Sequence, residues 1–460
     1  MVIHNIVIMH GSYNRDIERI LSERDNFNIY DKPEINLNKK KDNYAKGMPW
    51  RPECTFSRQV YDGNSHLDFD IYDNPPVTTR EIGYNDPENS DFCSTSRVSH
   101  TISENIDPTT VCINNINEIT INLLTTICTT SDIMFNINGL GLYMGLLELY
   151  HGSTGNTEIE LKSYCNFTGR IKTYACFKKF VAEHAKFLYP QISFRSYILY
   201  DSEMNISSQF KKKPLDRMVP IIPININNVG EIKRINKLIH EETKCINLIS
   251  YNTLRKVELN IVSVIRINPI WGIKVNFLST GKFMGDNSVF LNFKNCNIGY
   301  YKDISNNLQF LEIPMKGNNN VFGIIINKTS KNHINCYEDF ASSISKIQLV
   351  NVAKLSIPKI VKRNKMRLNN LMKNKGIQAC FLQTELPDIF PEDDNRISDI
   401  LQYSDLILDE KSEKSENIKQ SKRINNRMSK LQSIVINHEF TYYIRYIPNN
   451  LILCTGRVIL

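Results

Sequence analysis

The stretch that decides the fold is FTYYIRYIPNNLILCTGRV, residues 440–458. It is rich in aromatic and β-branched residues, and this composition predicts strands close to the C-terminus. The segment DEKSEKSENIKQSKR, residues 409–423, precedes it and follows an apolar stretch, ILQYSDLIL, at 400–408. So charged a run is typical of a solvated loop. The sequence therefore has a long charged loop just before the final strands of a folded domain.

Length and composition describe a soluble globular protein. The chain has 460 residues, of which 41% are hydrophobic and 23% are charged, and these fractions are ordinary for a folded domain. Its longest apolar runs, such as VFGIII at 321–326, fall well short of the roughly 20 residues that a membrane-spanning helix needs. We expect no contact with a membrane.

The N-terminus and the cysteine pattern favour a cytoplasmic location over secretion. The start, MVIHNIVIMHGSYNR, has no basic opening and no small-residue cleavage site after it. The 11 cysteines are scattered, and an odd number cannot all pair internally. No close CxxC pair occurs, which argues against a zinc site and against a disulfide framework. We expect reduced thiols, no metal and no cofactor.

The charge balance points to a protein partner and not to nucleic acid. The formal net charge is +8, but the basic residues are spread along the chain and accompanied by 48 acidic ones. No interleaved basic and aromatic motif of the known nucleic-acid readers is present. We therefore expect no nucleic-acid binding.

The chain divides into an irregular N-terminal part and a folded part. Residues 1–110 are broken by prolines and show no sustained period, which predicts an extension ahead of a folded domain at 111–460. Apolar residues from Ile116 to Ile127 have helical spacing, and GLYMGLLELYHG at 141–152 predicts a second helix. A third helix follows a Gly-rich turn, with Asn156 or Thr157 as its N-cap. Strands dominate after Val257, so the fold class is α+β.

No motif in the chain indicates an enzyme. HGSTGNT at 151–157 lacks the spacing of a phosphate-binding loop and follows a helix instead of a strand. HEETK at 240–244 has Lys244 where the zinc helix HExxH needs its second histidine. The nine histidines form no obvious cluster, and no GxSxG motif occurs.

Five segments, in unbroken order, resemble the serpin superfamily. They are LGLYMGLLELYHGSTGNTEIELKSYCNF, IVSVIRINPIWGIKVNF, LQFLEIPMKGNNNVFGIIIN, the pair AKLSIPKI and LNNLMKNKGIQACF, and FTYYIRYIPNNLILCTGRV. The similarity covers residues 112–460. The abundance of Asn, Ile and Lys is typical of an AT-rich genome, which suggests a viral source such as a poxvirus.

The resemblance implies a fold, a monomeric state and a mechanism. Serpins have three β-sheets, a bundle of helices and an exposed reactive-centre loop, here at about 409–435. A serine protease attacks this loop and forms an acyl-enzyme. The cleaved loop then inserts as a new strand in the central sheet, which is a known switching transition.

The start of the loop, called the hinge here, departs from the inhibitory pattern. The entry Asp409, Glu410 and Lys411 is kept, but Ser412 and Glu413 stand where inhibitory serpins have Gly and Thr. Insertion buries every second residue. The buried set would be Glu413, Ser415, Asn417, Lys419, Ser421 and Arg423. Each buried unpaired charge costs roughly several kcal/mol, and the opposite register buries Lys414, Glu416 and Lys422 instead. We therefore predict that the loop does not insert.

Two further sets of residues follow from the resemblance. Counting from Glu410 or back from Phe440 leaves several candidates for the bait residue that a protease would attack: Arg423, Asn426, Arg427, Met428 and Lys430. The polar cluster that closes the central sheet in serpins, the shutter, corresponds by position to Asn138, Gly139, Gly141, Ser263 and Gln402, and the tryptophan after the central strand is Trp271. Because the shutter residues differ from the family pattern, they too argue against insertion.

The sequence therefore predicts a serpin-like protein that is not an enzyme. Its charged hinge favours a non-inhibitory binding or scaffold serpin. The alternative is an inhibitor of a trypsin-like serine protease through the basic loop 423–430, either by trapping or by reversible blocking.

Overall fold

The computed structural model describes residues 107–184, 191–211, 219–225, 227–246, 248–250, 258–317, 319–327, 334, 336–382, 385–391, 396–412 and 430–459. The predicted N-terminal extension, 1–110, lies almost entirely outside the described residues, as does the loop from 413 to 429. The domain boundary near 110 therefore stays a prediction.

The helices lie mainly in the first half of the chain. Those described are α1 (Pro108–Thr130), α2 (Gly139–Gly152), α3 (Gly155–Cys165), α4 (Arg170–His184), α5 (Ser208–Lys211), α6 (Val229–Thr243), α7 (Tyr337–Ser345), α8 (Asn369–Asn374) and α9 (Ala379–Leu382). The helices predicted around 116–127 and at 141–152 are confirmed as α1 and α2. None of the described helices is long and apolar enough to cross a membrane.

The predicted N-cap of the third helix was wrong. Helix α3 begins at Gly155 after Thr154, so Asn156 and Thr157 lie inside it. The reason is a distant carboxylate: Glu385 Oε2 accepts a hydrogen bond from the Thr157 backbone N–H at 3.0 Å. Since an N-terminal N–H needs an acceptor from any source, Glu385 replaces the local cap.

Most of the described strands lie after Val257, as predicted, but the first three lie in the half of the chain where helices were predicted. The strands are β1 (Phe135–Ile137), β2 (Ile192–Asp201), β3 (Ile221–Ile224), β4 (Leu259–Ile267), β5 (Phe277–Phe283), β6 (Asp286–Asp303), β7 (Leu308–Pro314), β8 (Asn320–Asn327), β9 (Gln348–Pro358), β10 (Ile360–Arg367), β11 (Ile397–Leu408), β12 (Lys430–Val435), β13 (Phe440–Tyr446) and β14 (Leu451–Val458). The decisive stretch at 440–458 forms the antiparallel pair β13–β14.

The strands form two hydrogen-bonded sheets where the resemblance implies three. The five-stranded sheet has the order β10-β11-β4-β2-β3, and the nine-stranded sheet has the order β1-β14-β13-β8-β7-β6-β9-β12, with β5 also on β6. Strand β6 is 18 residues long. Its first half pairs with β5 and its last residues pair with β7, so it joins two groups of strands into one network. The α+β class is confirmed.

The five-stranded sheet has a packed core on each face. Ile261 and Ile265 of β4 belong to the main core, whereas Val262 and Val264 belong to a second core with α6. This alternation follows from the two-residue period of a strand. A central strand that is buried on both faces carries apolar residues in succession, as LNIVSVIRI does.

Candidate functional site

The candidate site is the seam where β4 and β11 lie side by side. The two strands pair in parallel from Leu259–Ile397 to Ile267–Leu406, with one irregularity near the start. In the five-stranded sheet these are neighbouring central strands. The seam is therefore closed along its length, and a strand could enter only by separating them.

Three predicted shutter residues meet at the seam. Asn138 donates a hydrogen bond from Nδ2 to Ser263 Oγ at 3.0 Å. The Gln402 side chain accepts from the Asn138 backbone N–H at 3.1 Å and donates to its carbonyl at 2.9 Å. Since Ser263 is on β4 and Gln402 is on β11, Asn138 connects the two strands. All three side chains are buried, where hydrogen bonds are costly to break.

Gly141 is required by the closeness of this packing. Its backbone N–H donates to Asn138 Oδ1 at 2.9 Å, which caps helix α2. A Cβ atom at Gly141 would lie 2.2 Å from Ser263 Oγ and 2.4 Å from Asn138 Nδ2. Both atoms belong to the shutter network, so any larger residue here would displace it.

A second polar group, which the sequence did not reveal, continues the network. Asn136 donates from Nδ2 to Ser404 Oγ at 2.6 Å, and the Tyr442 hydroxyl donates to Asn136 Oδ1. Ser196 Oγ donates to the Gly141 carbonyl at 2.7 Å. One signal was available: Ser404 is two residues beyond Gln402 on one strand, so both side chains lie on the same face.

Both faces of the seam are covered by helices. On the α2 side, Gly145 lies against Ile261, because a Cβ atom at Gly145 would be 2.5 Å from its Cγ2. On the other side, α6 packs on the sheet through an apolar group whose members are Ile232, Ile235, Ile239, Val262, Val264, Leu401 and Tyr403. A strand that entered the seam would therefore be buried against α2 and the shutter on one face. On the other face α6 covers only the middle of the seam, because Arg266 and Ile407, nearer the hinge, are half-buried.

The first hinge residues are held at one end of the seam by Trp271. Strand β11 ends at Leu408. The Trp271 indole N–H donates to the Asp409 carbonyl at 2.7 Å, and its backbone N–H donates to the Lys411 carbonyl at 2.9 Å. An isolated parallel bridge joins Trp271 to Ser412. Trp271 is fully buried, so it is a rigid anchor for the hinge.

The hinge charges that the structure describes are paired at the surface. Lys359 Nζ lies 2.7 Å from Glu410 Oε2, and Lys411 Nζ lies 3.2 Å from Asp409 Oδ2. The hydrogen bond from Lys359 lowers the pKa of the Glu410 carboxyl below its usual value. Because one member of each pair, Glu410 or Lys411, is more than half exposed, each pair contributes little to stability.

The remaining predicted loop residues fall on either side of the described boundary. Four hinge positions, Glu413, Ser415, Asn417 and Lys419, and four bait candidates, Arg423, Asn426, Arg427 and Met428, lie outside the described residues. Lys430 is the first residue of β12 and pairs with Asn351 of β9. The predicted loop, 409–435, therefore includes a paired strand, because the apolar LQSIV segment extends the edge of β9.

The polar groups of the seam hold its two strands together by hydrogen bonds. Its polar groups are amides and hydroxyls, which donate and accept hydrogen bonds but do not titrate near neutral pH. Within the described part of the chain, no three His, Cys, Asp or Glu side chains lie together as metal ligands would. These side chains are therefore suited to holding β4 and β11 together.

Comparison with known proteins agrees with this architecture. A protein-family model described as Serpin (serine protease inhibitor) matches residues 114–460. The search of curated proteins gives no match.

Solved structures match along three quarters of the chain. Mouse protein-Z-dependent protease inhibitor is 18% identical, with 76% of this chain and 96% of that chain covered and a TM-score of 0.63. Human thyroxine-binding globulin complexed with thyroxine is 14% identical, with 76% and 98% covered and a TM-score of 0.64. Uncleaved ovalbumin is 15% identical, with 77% and 99% covered and a TM-score of 0.62.

Proposed function

This chain belongs to the serpin family, and on that premise we propose that it is a non-inhibitory member that binds a protein partner or serves as a scaffold. The observation that carries the proposal is the composition of the hinge. Where an inhibitory loop presents small residues to the sheet, this one presents Glu413, Lys419 and Arg423. A loop that cannot enter the sheet cannot complete the trapping reaction.

The surroundings of the seam support this reading. The closed seam is buried under α2 and the main core on one face, whereas α6 covers only the middle of the other face. An inserting strand that left Glu413, Lys419 and Arg423 facing one side would desolvate all three. The opposite register would desolvate Lys414, Glu416 and Lys422. Either way the cost is roughly several kcal/mol per ion, a cost that a loop of small uncharged residues does not have.

Because of the position of Ser412, the cost of burying a charge arises at the start of insertion. Ser412 is bridged to Trp271 at the end of the seam, and Glu413 is the next residue of the loop. Insertion from this end must therefore bring a carboxylate toward the seam before any apolar residue, since Ile418 is the first apolar residue of the loop.

The alternative function is inhibition of a trypsin-like protease, and the shutter favours it. Although its residues differ from the family pattern, they form a continuous hydrogen-bonded network that closes the sheet. An inhibitory serpin begins its trapping reaction with a protease from the state in which this sheet is closed. The basic residues of 423–430 would then be the bait, with inhibition by trapping or by reversible blocking. Relatives of both kinds share the fold: one is named a protease inhibitor and another was solved with thyroxine.

A hinge variant tests the proposal. We expect wild-type protein mixed with trypsin to be cleaved without forming an SDS-stable covalent complex. The triple variant Glu413→Thr, Lys419→Ala and Arg423→Ala removes the charges of one register, and we expect it to form such a complex with trypsin.

A matched control variant removes the same numbers of acidic and basic side chains. The variant Glu416→Thr, Lys414→Ala and Lys422→Ala removes one acid and two bases from the opposite register. We expect it to behave like the wild type. A covalent complex formed by the wild type itself would contradict the proposed function.

A further inference from the structure

Two lysines share one aromatic side chain on the nine-stranded sheet. Lys294 of β6 and Lys354 of β9 are directly opposite each other in the strand register. Their Nζ atoms lie 4.9 and 5.9 Å from the ring centroid of Phe277 on β5. Phe277 is 39% exposed. We call Phe277, Lys294 and Lys354 the lysine–phenylalanine surface.

This arrangement is unfavourable for folding alone. Like charges directly opposite each other in a sheet destabilise it, and an exposed cation–π contact recovers only about 0.5–1 kcal/mol. No ion pair to either lysine occurs within the described residues. Two other lysines, by contrast, are paired with hinge carboxylates: Lys359 with Glu410 and Lys411 with Asp409. Local conflicts of this kind are expected at functional positions.

The surface adjoins the strand in which the loop ends. Lys354 pairs with Ser433 of β12, and Lys430 is the first residue of that strand. At about 3.3 Å per residue, Lys430 and Ser433 are roughly 10 Å apart along the strand. A protein that engages the loop therefore comes within reach of Lys354 and Lys294.

The loop has the same sign of charge as this surface. Residues 413–430 contain six basic side chains and two acidic ones, which gives 6 − 2 = +4. The basic members are Lys414, Lys419, Lys422, Arg423, Arg427 and Lys430. The charge that the sequence gives to the loop therefore has the same sign as that of Lys294 and Lys354, and both would attract an acidic partner.

We propose that the lysine–phenylalanine surface is an accessory docking surface for a protein partner whose acidic patch lies beside its loop-binding site. This proposal rests on the proposed function in one respect: a protein partner must engage the loop. A protein fits better than a polyanion because apolar groups accompany the two lysines. Phe277 is joined by Val435, which is 47% exposed and, being opposite Ser356, lies on the face of Lys354. Aromatic side chains are enriched at protein interfaces.

Two trypsin isoforms of opposite net charge, anionic and cationic, provide the probe. Both cleave after Lys and Arg, so the rate of loop cleavage reports how well each protease approaches. The second-order rate constants are measured by mass spectrometry of the loop fragments at low ionic strength. We expect Lys294→Gln with Lys354→Gln to lower the anionic-to-cationic rate ratio about threefold, since steering by surface charge changes association rates.

Two control variants distinguish an effect of this surface from an effect of net charge and from an effect on folding. Lys162→Gln with Lys172→Gln removes two exposed lysines on α3 and α4, and we expect it to leave the ratio unchanged. Lys294→Arg with Lys354→Arg keeps both charges, and we expect the wild-type ratio. An unchanged ratio in the glutamine pair, or an equal fall in the α3–α4 control, would overturn the proposal.

Binding to a sulfated polysaccharide is tested on a dextran sulfate column. If the glutamine pair elutes at lower salt while the trypsin ratio is unchanged, the surface binds polyanions and the proposal is overturned. Loop insertion is read separately from the melting temperature of the cleaved protein. The docking surface and the proposed function can therefore fail independently.

Discussion

Asn138 joins the two strands of the seam through both its backbone and its side chain. Its amide reaches Ser263 on β4, and its backbone accepts and donates to Gln402 on β11. The sequence marked these residues as departures from the family pattern and counted them against insertion. Since they form a complete network, the shutter does not argue against it. The case for a non-inhibitory protein therefore depends on the hinge.

Replacing Asn138 measures what the network contributes. We expect Asn138→Ala to lower the free energy of unfolding by about 1–3 kcal/mol, because it leaves the Ser263 hydroxyl and the Gly141 N–H without their partner in a buried site. Urea unfolding measures the change. The exposed Asn287→Ala should change stability by less than about 0.5 kcal/mol. Equal effects from the two variants would contradict a structural role for Asn138.

At this scale the sequence predicted part of the site. Asn138, Ser263 and Gln402 were found because each has a fixed place in a family motif. Asn136, Ser404 and Tyr442 were missed, since the hydrogen bond between Asn136 and Ser404 joins residues 268 positions apart. Spacing along the chain does not indicate which buried polar side chains meet.

The hinge is the element that decides the function, and Trp271 holds its first residues. The indole N–H donates to the Asp409 carbonyl, and the ring packs edge-on against Phe293 and Phe322. The Lys411 carbonyl is held by the Trp271 backbone. The indole bond can therefore be removed while the backbone bond and much of the packing remain.

We expect Trp271→Phe to release the hinge. A single hydrogen bond contributes about 1 kcal/mol, so its loss should raise the rate of cleavage after Glu410 by a glutamate-specific protease about fivefold. Peptide mapping measures the rate. Trp50→Phe, which changes the other tryptophan of the chain, is the matched control. Equal rates for Trp271→Phe and the wild type would contradict anchoring by the indole.

Element types were predictable where the pattern was strong, and their ends were not. The apolar period of α1 and the composition of β13–β14 predicted both correctly. The start of α3 was wrong because Glu385, more than 200 residues away, supplies the cap. The division into sheets differed because β6 is long enough to serve two groups of strands. Both errors come from contacts that are distant in sequence.

At the scale of the whole molecule, a serpin domain is in its closed state. Strands β4 and β11 pair directly, and the described hinge residues lie at the end of the seam and not within it. Entry of the cleaved loop would require these two strands to separate. That outcome depends on the free energy of burying Glu413, Lys419 and Arg423 under α2 or α6. A cytoplasmic location, a monomeric state and a viral source stay proposals from the sequence.

The most direct test is the melting temperature before and after trypsin nicks the loop, with mass spectrometry to confirm a cut between residues 409 and 430. A strand that inserts would add several kcal/mol of stability and raise the melting temperature by about 10 °C or more. We predict no rise, because the charges of the hinge keep the cleaved loop out of the seam. A rise of that size would contradict the non-inhibitory function and make this protein a working trap.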